Sequence, residues 1–252
     1  MRIPSRVSDA LCFNRSMSIA ENTARVRDRI EKAAARAGRA QEDVALIAVS
    51  KTVEPGRIHE AYQAGIRLFG ENRVQEFARK AEPLRELCDA EWHMIGHLQS
   101  NKAFHAAELF AAVDSVDSLK LAEKLNSSAE KLGKKLPILI EINLGGEVGK
   151  SGMAPESRQL DELVRAAPRL ECLEIRGLMT VPPFSDEAEG ARVFFRKMRE
   201  LRDQLAARGL PQVGMETLSM GMSHDFEVAI EEGATCVRVG TAIFGERTDR
   251  MQ

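Results

Sequence analysis

Residues 44–70 read VALIAVSKTVEPGRIHEAYQAGIRLFG. The first seven, VALIAVS, are a continuous apolar run rich in β-branched residues, the mark of a strand buried on both faces. Pro55 opens a helix, at the position where its missing N–H costs nothing, and Gly65 ends it after Ala64. RLFG at 67–70 reads as a second, short strand. Strand, helix and strand in so short a space form one βαβ unit, and such units build parallel sheets.

Outward from this unit the alternation repeats. Strands are expected over 92–98 (WHMIGHL), 110–116 (FAAVDSV), 137–144 (PILIEINL), 173–181 (LEIRGLMTV), 217–220 and 236–244 (CVRVGTAIF). Helices over 74–88, 103–109, 118–132, 155–167, 186–208 and 225–232 separate them. Eight such repeats in about 250 residues is the size of a closed (β/α)8 TIM barrel. An open doubly wound sheet is the alternative, but no nucleotide fingerprint supports it. Upstream, Ser18-Ile19-Ala20-Glu21 has the form of a capping box, and Val26, Ile30, Ala33 and Ala37 follow at helical spacing to a stop at Gly38. No helix is expected after the eighth strand, so this extra N-terminal helix can cover the wall there. One barrel domain over 18–252 is expected. Residues 1–17 read as a poorly ordered extension with a faint likeness to a transit peptide.

Composition narrows the classes of function. Lys+Arg 36 against Asp+Glu 38 gives a net charge of −2, so no electrostatic reason exists to expect nucleic acid or a membrane surface as partner. No apolar run approaches the roughly 18 residues that span a bilayer. The four cysteines, Cys12, Cys88, Cys172 and Cys236, stand far apart. That spacing suits free thiols in a reducing cytoplasm, with Cys172 and Cys236 buried in the core.

In such a barrel, chemistry sits at the C-terminal ends of the strands. Those ends carry Ser50-Lys51-Thr52, Glu71-Asn72-Arg73, Glu141-Ile142-Asn143, Ser219-Met220-Gly221-Met222-Ser223 and Arg238-Val239-Gly240-Thr241. A lysine at a barrel mouth can lose its charge by desolvation and become a nucleophile for Schiff-base chemistry. The alternative for Lys51 is an ion pair with Glu71 or Glu141. The ends of strands seven and eight suit a phosphate: Gly240 permits close approach of backbone, and Thr241 and Ser219 offer hydroxyls. Three other patterns read as decoys. Residues 145–151 (GGEVGKS) lack the spacing of a phosphate-binding P-loop, and His93 and His97 lack a helical zinc motif, so no metal site is expected. Met215, Met220 and Met222 read as packing.

Several longer motifs stand in order along the chain: AVSK at 48–51, FGENRVQE at 69–76, WHMIGHLQSNK at 92–102, GLMT at 177–180, LSMGMSHDFEVAI at 218–230 and VRVGTAIFG at 237–245. Together they resemble the pyridoxal-phosphate homeostasis protein family, whose fold is similar to the N-terminal barrel of alanine racemase. The resemblance implies a fold-type-III pyridoxal-phosphate (PLP) site with a covalent aldimine on Lys51. It implies cofactor contacts at Asn72, Ser219, Arg238, Gly240 and Thr241, with Arg238 near the ring nitrogen or the phosphate. Lys150 matches a family lysine linked to a second, release-related site. Val53 is a departure, since relatives often carry another lysine there.

The resemblance further implies a cytoplasmic monomer that holds and releases the cofactor in vitamin B6 and amino-acid homeostasis, with apo PLP-enzymes as recipients. The alternative is a racemase or decarboxylase of the same fold type. Three features favour a carrier. The pattern stops at strand eight with no second β-domain. The single tyrosine, Tyr62, lies on the helix after strand one rather than opposite Lys51. An arginine at the ring nitrogen weakens the electron sink that enzymes tune.

Overall fold

The computed structural model describes residues 17–147 and 149–246. Eight parallel strands close in sequence order: β1 (Ala45–Val49), β2 (Leu68–Glu71), β3 (Glu91–Met94), β4 (Ala112–Val116), β5 (Leu136–Ile142), β6 (Leu173–Thr180), β7 (Val213–Ser219) and β8 (Cys236–Val239). β1 bonds to both β2 and β8, so Ile47 lies opposite Leu68 on one side and Arg238 on the other. This is why the run at 44–50 shows no polar alternation. One face of β1 fills the barrel and the other packs under helices.

The helices between them are α2 (Pro55–Gln63), α3 (Val74–Leu84), α4 (Ala103–Leu109), α5 (Leu119–Lys131), α6 (Arg158–Ala166), α7 (Arg192–Ala207) and α8 (Phe226–Glu231). Ahead of the barrel runs α1 (Ile19–Arg36), which starts at the expected capping box: Ser18 Oγ accepts from the Glu21 amide at 3.2 Å, and Glu21 Oε2 accepts from the Ser18 amide at 2.7 Å. Its Val26, Ile30, Ala33 and Ala34 are buried. Arg29 and Arg36 pair with Glu227 and Glu231 of α8, while Arg27 donates to the carbonyl of Gly65 at the end of α2. So α1 covers the seam where β8 meets β1. Among the described residues, no helix is long and apolar enough to cross a membrane.

Several boundaries differ from the sequence reading. β3 stops at Met94 rather than at 98. At Gly96 the chain passes so close to Asn72 that a Cβ would lie 2.6 Å from its carbonyl oxygen. β8 stops at Val239 rather than 244. Residues Thr241–Phe244 instead form a one-turn helix, α9, closed by Phe244 N donating to Gly240 O at 2.9 Å. A short helix therefore does follow strand eight. α1 packs on it through Asn22 Nδ2, which donates to Ile243 O at 3.0 Å. β7 begins at Val213, earlier than expected, and α3 ends at Leu84. α6 starts at Arg158 because Ser157, not Pro155, caps it. A 3-10 turn at Ala188–Ala191 precedes α7, which delays that helix to Arg192. Cys236 is buried as expected, whereas Cys172 is only partly so. The expected N-terminal extension lies outside the described residues except for Met17, which is exposed.

Candidate functional site

β7, β8, β1 and β2 are consecutive neighbours in the closed barrel. Their C-terminal ends therefore bring Ser219, Arg238, Gly240, Thr241, Lys51 and Asn72 to one arc of the mouth. Lys51 stands two residues beyond the end of β1 and is half-buried, and Asn72 directly follows β2. Gly240 lies beside β1, where a Cβ would sit 3.4 Å from Val49 Cβ. Lys150 is not part of this arc. It belongs to the loop after β5, on the opposite side of the ring, and its exposed ammonium pairs with Glu147.

Arg238 dominates the inner end of the arc. It is 3% exposed, and its Nη1 donates to Ser219 Oγ at 2.7 Å and its Nη2 to Thr180 O at 2.8 Å. The Ser219 hydroxyl, expected to face a ligand, thus holds the guanidinium. Among the described residues no carboxylate lies within ion-pair distance of Arg238. Burial lowers its pKa, opposed at longer range by Cys236, Asp114, Glu141 and Asp225. Glu141 faces the same space from β5. Burial, and then repulsion from Asp117, outweigh the attraction of Arg238 and push its carboxyl up to about 7. Its Oε2 is buried without a hydrogen-bond partner.

Beside Arg238 the β7–α8 loop and the start of α9 form a cup of amides. Ser223 Oγ accepts from Gly240 N at 3.2 Å and Ala242 N at 3.4 Å, so backbone donors converge on one oxygen, an arrangement suited to an anionic oxygen as well. The loop is held by Asp225 Oδ1, which accepts from the Met222 amide at 2.7 Å, and by Gly221 O, which accepts from Arg238 N at 3.0 Å. Gly221, at φ 92°, packs so closely on α8 that a Cβ would meet Ala229 Cβ at 2.6 Å.

Behind Lys51 is a cluster the sequence reading did not single out. Glu71, fully buried at the end of β2, accepts from Ser50 Oγ at 2.7 Å and from Lys80 Nζ at 3.2 Å. Of the two carboxylates considered as a pair for Lys51, Glu71 is thus bonded to Ser50 and to Lys80 of α3. Burial raises the Glu71 pKa, and its bonds to Ser50 and Lys80 moderate the rise. Lys80 was legible only as one charge on a helix, although Glu76 four residues earlier is its partner at 2.7 Å. Ser223 was visible at a strand end, but its contact with Gly240 joins loops from two strands.

The remaining patterns lie elsewhere. His93 pairs with Asp114 at 3.1 Å beside a cavity of about 150 Å³ that Cys236 also lines. Burial disfavours its charge, yet the Asp114 carboxylate outweighs this and raises the His93 pKa. His97 pairs with Asp117 at 3.2 Å. Met215 and Met220 are buried in the core. Tyr62 bonds Asp89 and stacks on Arg67, at the end of α2 remote from the mouth.

Fold and site together define a barrel of the alanine racemase N-terminal class, and residues 22–248 match the family model described as "Alanine racemase, N-terminal domain". The chain is 47% identical over 231 residues to the "Pyridoxal phosphate homeostasis protein" of Aquifex aeolicus, covering 92% of this chain and 99% of that one. A structure of PipY from Synechococcus elongatus with PLP bound is 39% identical, with a TM-score of 0.77 and coverage of 90% and 100%. The alanine racemase of Streptomyces coelicolor, 22% identical, matches at a TM-score of 0.65 over 92% of this chain and 59% of its own, which reflects the fold alone. The chain belongs to the pyridoxal phosphate homeostasis protein family.

Proposed function

We propose that this protein holds pyridoxal phosphate in the mouth of the barrel and releases it to apo PLP-enzymes, without robust turnover of its own. The observation that carries this reading is Arg238: a buried cation beside an amide cup and the end of β1, hydrogen-bonded to neutral groups rather than to a carboxylate. A buried guanidinium calls for an acceptor, and the cofactor brings two kinds, a phosphate and a ring nitrogen. The residues present therefore fit the group. Gly240, Thr241 and Ser223 would receive the phosphate, Arg238 the ring nitrogen, and Asn72 would flank the ring. Lys51 is the proposed covalent anchor and would hold the cofactor by its aldehyde group.

When bound, the cofactor supplies an electrophilic carbonyl and an electron-accepting ring. The side chains of this protein favour the first over the second. A guanidinium donating to the ring nitrogen keeps that nitrogen unprotonated and weakens the ring as a sink for electrons. The single tyrosine is bonded to Asp89 at the far end of α2, so it is not available as a second base opposite Lys51. Both features count against the racemase alternative. Lys150 stands apart from this pocket, so any part it has in release is that of a separate surface site. A cytoplasmic monomer accords with this reading.

Purified protein should be assayed side by side for amino-acid racemisation and for transfer of bound PLP to an apo-enzyme. Transfer with racemisation at background is the expected result. Racemisation at an ordinary enzymatic rate would overturn the carrier reading.

A further inference from the structure

The chain on both sides of Lys51 is tied to a single side chain of α3. Lys80 Nζ donates to three acceptors, Ser50 O at 2.9 Å, Glu76 Oε1 at 2.7 Å and Glu71 Oε1 at 3.2 Å. Glu76 Oε1 also accepts from the Thr52 amide at 2.6 Å, and Glu71 Oε1 from the Ser50 hydroxyl at 2.7 Å. Ser50 and Thr52, the two neighbours of Lys51, are thus both anchored to the same ionic cluster.

The turn they flank is strained. Val53 N donates to Ser50 O at 3.0 Å, closing a four-residue turn over 50–53, and Thr52 within it has φ 61°. A β-branched residue rarely adopts that conformation. Such conformations persist where the surroundings over-determine them, and they concentrate at functional sites. The surroundings here are Lys80, Glu76 and Glu71, with side chains 12%, 25% and 0% exposed. Buried ionic clusters of this kind are poor stabilisers, because desolvation offsets the attraction. Glu71 Oε2 is even left without a hydrogen-bond partner. A cluster of little use to stability that grips a strained turn beside the anchor lysine has a positional task.

We infer that Lys80, acting through Glu71 and Glu76, is a positioning residue that fixes the turn at 50–53 and so the direction in which Lys51 leaves β1. This rests on the cofactor reading above. Lys80 itself is no rival anchor: all three of its ammonium protons are engaged, two of them with carboxylates.

The test loads the full-length protein with pyridoxal phosphate, quenches with borohydride at intervals, and quantifies label on the Lys51 peptide. The melting temperature of cofactor-free protein is measured in parallel. Lys80→Met should slow labelling of Lys51 per folded molecule by about tenfold or more, as small misplacements of reacting groups do. Adding Thr52→Gly, which adopts φ 61° without strain, should recover part of that rate although no charge is restored. Glu76→Leu, which removes the oxygen that accepts from both the Thr52 amide and Lys80, carries the same test should Lys80→Met fail to fold. An unchanged labelling rate per folded molecule in these variants would overturn the inference, whatever their melting temperatures, as would absence of recovery with Thr52→Gly. Wild type that takes no label on Lys51 would instead remove the cofactor reading, and this inference with it.

Discussion

A guanidinium taken out of water keeps its charge only where acceptors meet it, and Arg238 finds Ser219 and Thr180 but no carboxylate close enough for an ion pair among the described residues. A charged hydrogen bond contributes roughly 1.5–3 kcal/mol, which is about one to two decades of affinity. Arg238→Ala should raise the dissociation constant for pyridoxal phosphate by that factor and leave racemisation at background. Unchanged affinity in a titration would remove Arg238 from the pocket. Glu141 gives a second expectation, from pH. Its carboxyl titrates at about 7 when folded, against an ordinary 4.5. The folded chain thus holds this proton more tightly than the unfolded chain does. The contribution of Glu141 to stability is greatest below about pH 4.5, declines as pH rises through the window to about 7, and is flat above it. Glu141→Gln should gain on wild type between pH 5 and pH 8 by roughly 1–3 kcal/mol, read by urea unfolding of cofactor-free protein. A difference that does not grow with pH would contradict the buried, partly unpaired carboxyl described here.

Elements carry their own expectations. Gly177, in the GLMT stretch of β6, has φ 154°, and a Cβ there would lie 1.8 Å from Thr217 O of β7. The β6–β7 register shifts between Ile175 and Gly177, so this glycine marks a bulge where two backbones nearly touch. Gly177→Ala should lose roughly 2–4 kcal/mol, seen as a large fall in melting temperature. Ser18→Ala, which removes only the cap of α1, should lose about 1 kcal/mol. The order of strands and helices was legible because runs such as VALIAVS and PILIEINL have to be buried on both faces. The ends of β3 and β8 were not. TAIF has the composition of a strand, yet the Ser223 hydroxyl gathers the amides of Gly240 and Ala242 and turns the chain into α9. That contact joins loops distant in sequence and leaves no local pattern. The same holds for Lys80, whose composition is that of a solvated helix face and whose contacts are buried.

At the scale of the whole molecule, α1 and all eight strands fall within residues 19–239, and α1 closes the seam between β8 and β1. The mouth residues were legible as a set because the C-terminal ends of parallel strands converge in a closed barrel. Their hydrogen-bond partners were not, since these depend on side-chain directions across β1, β2, β7 and β8. The helix that covers the seam begins at Ile19 and the strands of the barrel all follow it, so a chain beginning at Met17 should melt and bind pyridoxal phosphate as the full chain does. A large fall in melting temperature would mean that the preceding residues pack on the barrel. The account turns on Lys51 as the anchor in this mouth. Borohydride reduction of the cofactor-loaded protein, followed by peptide mapping, tests that directly: the pyridoxyl group should be found on Lys51, whereas label confined to any other lysine, Lys80 and Lys150 included, would contradict it.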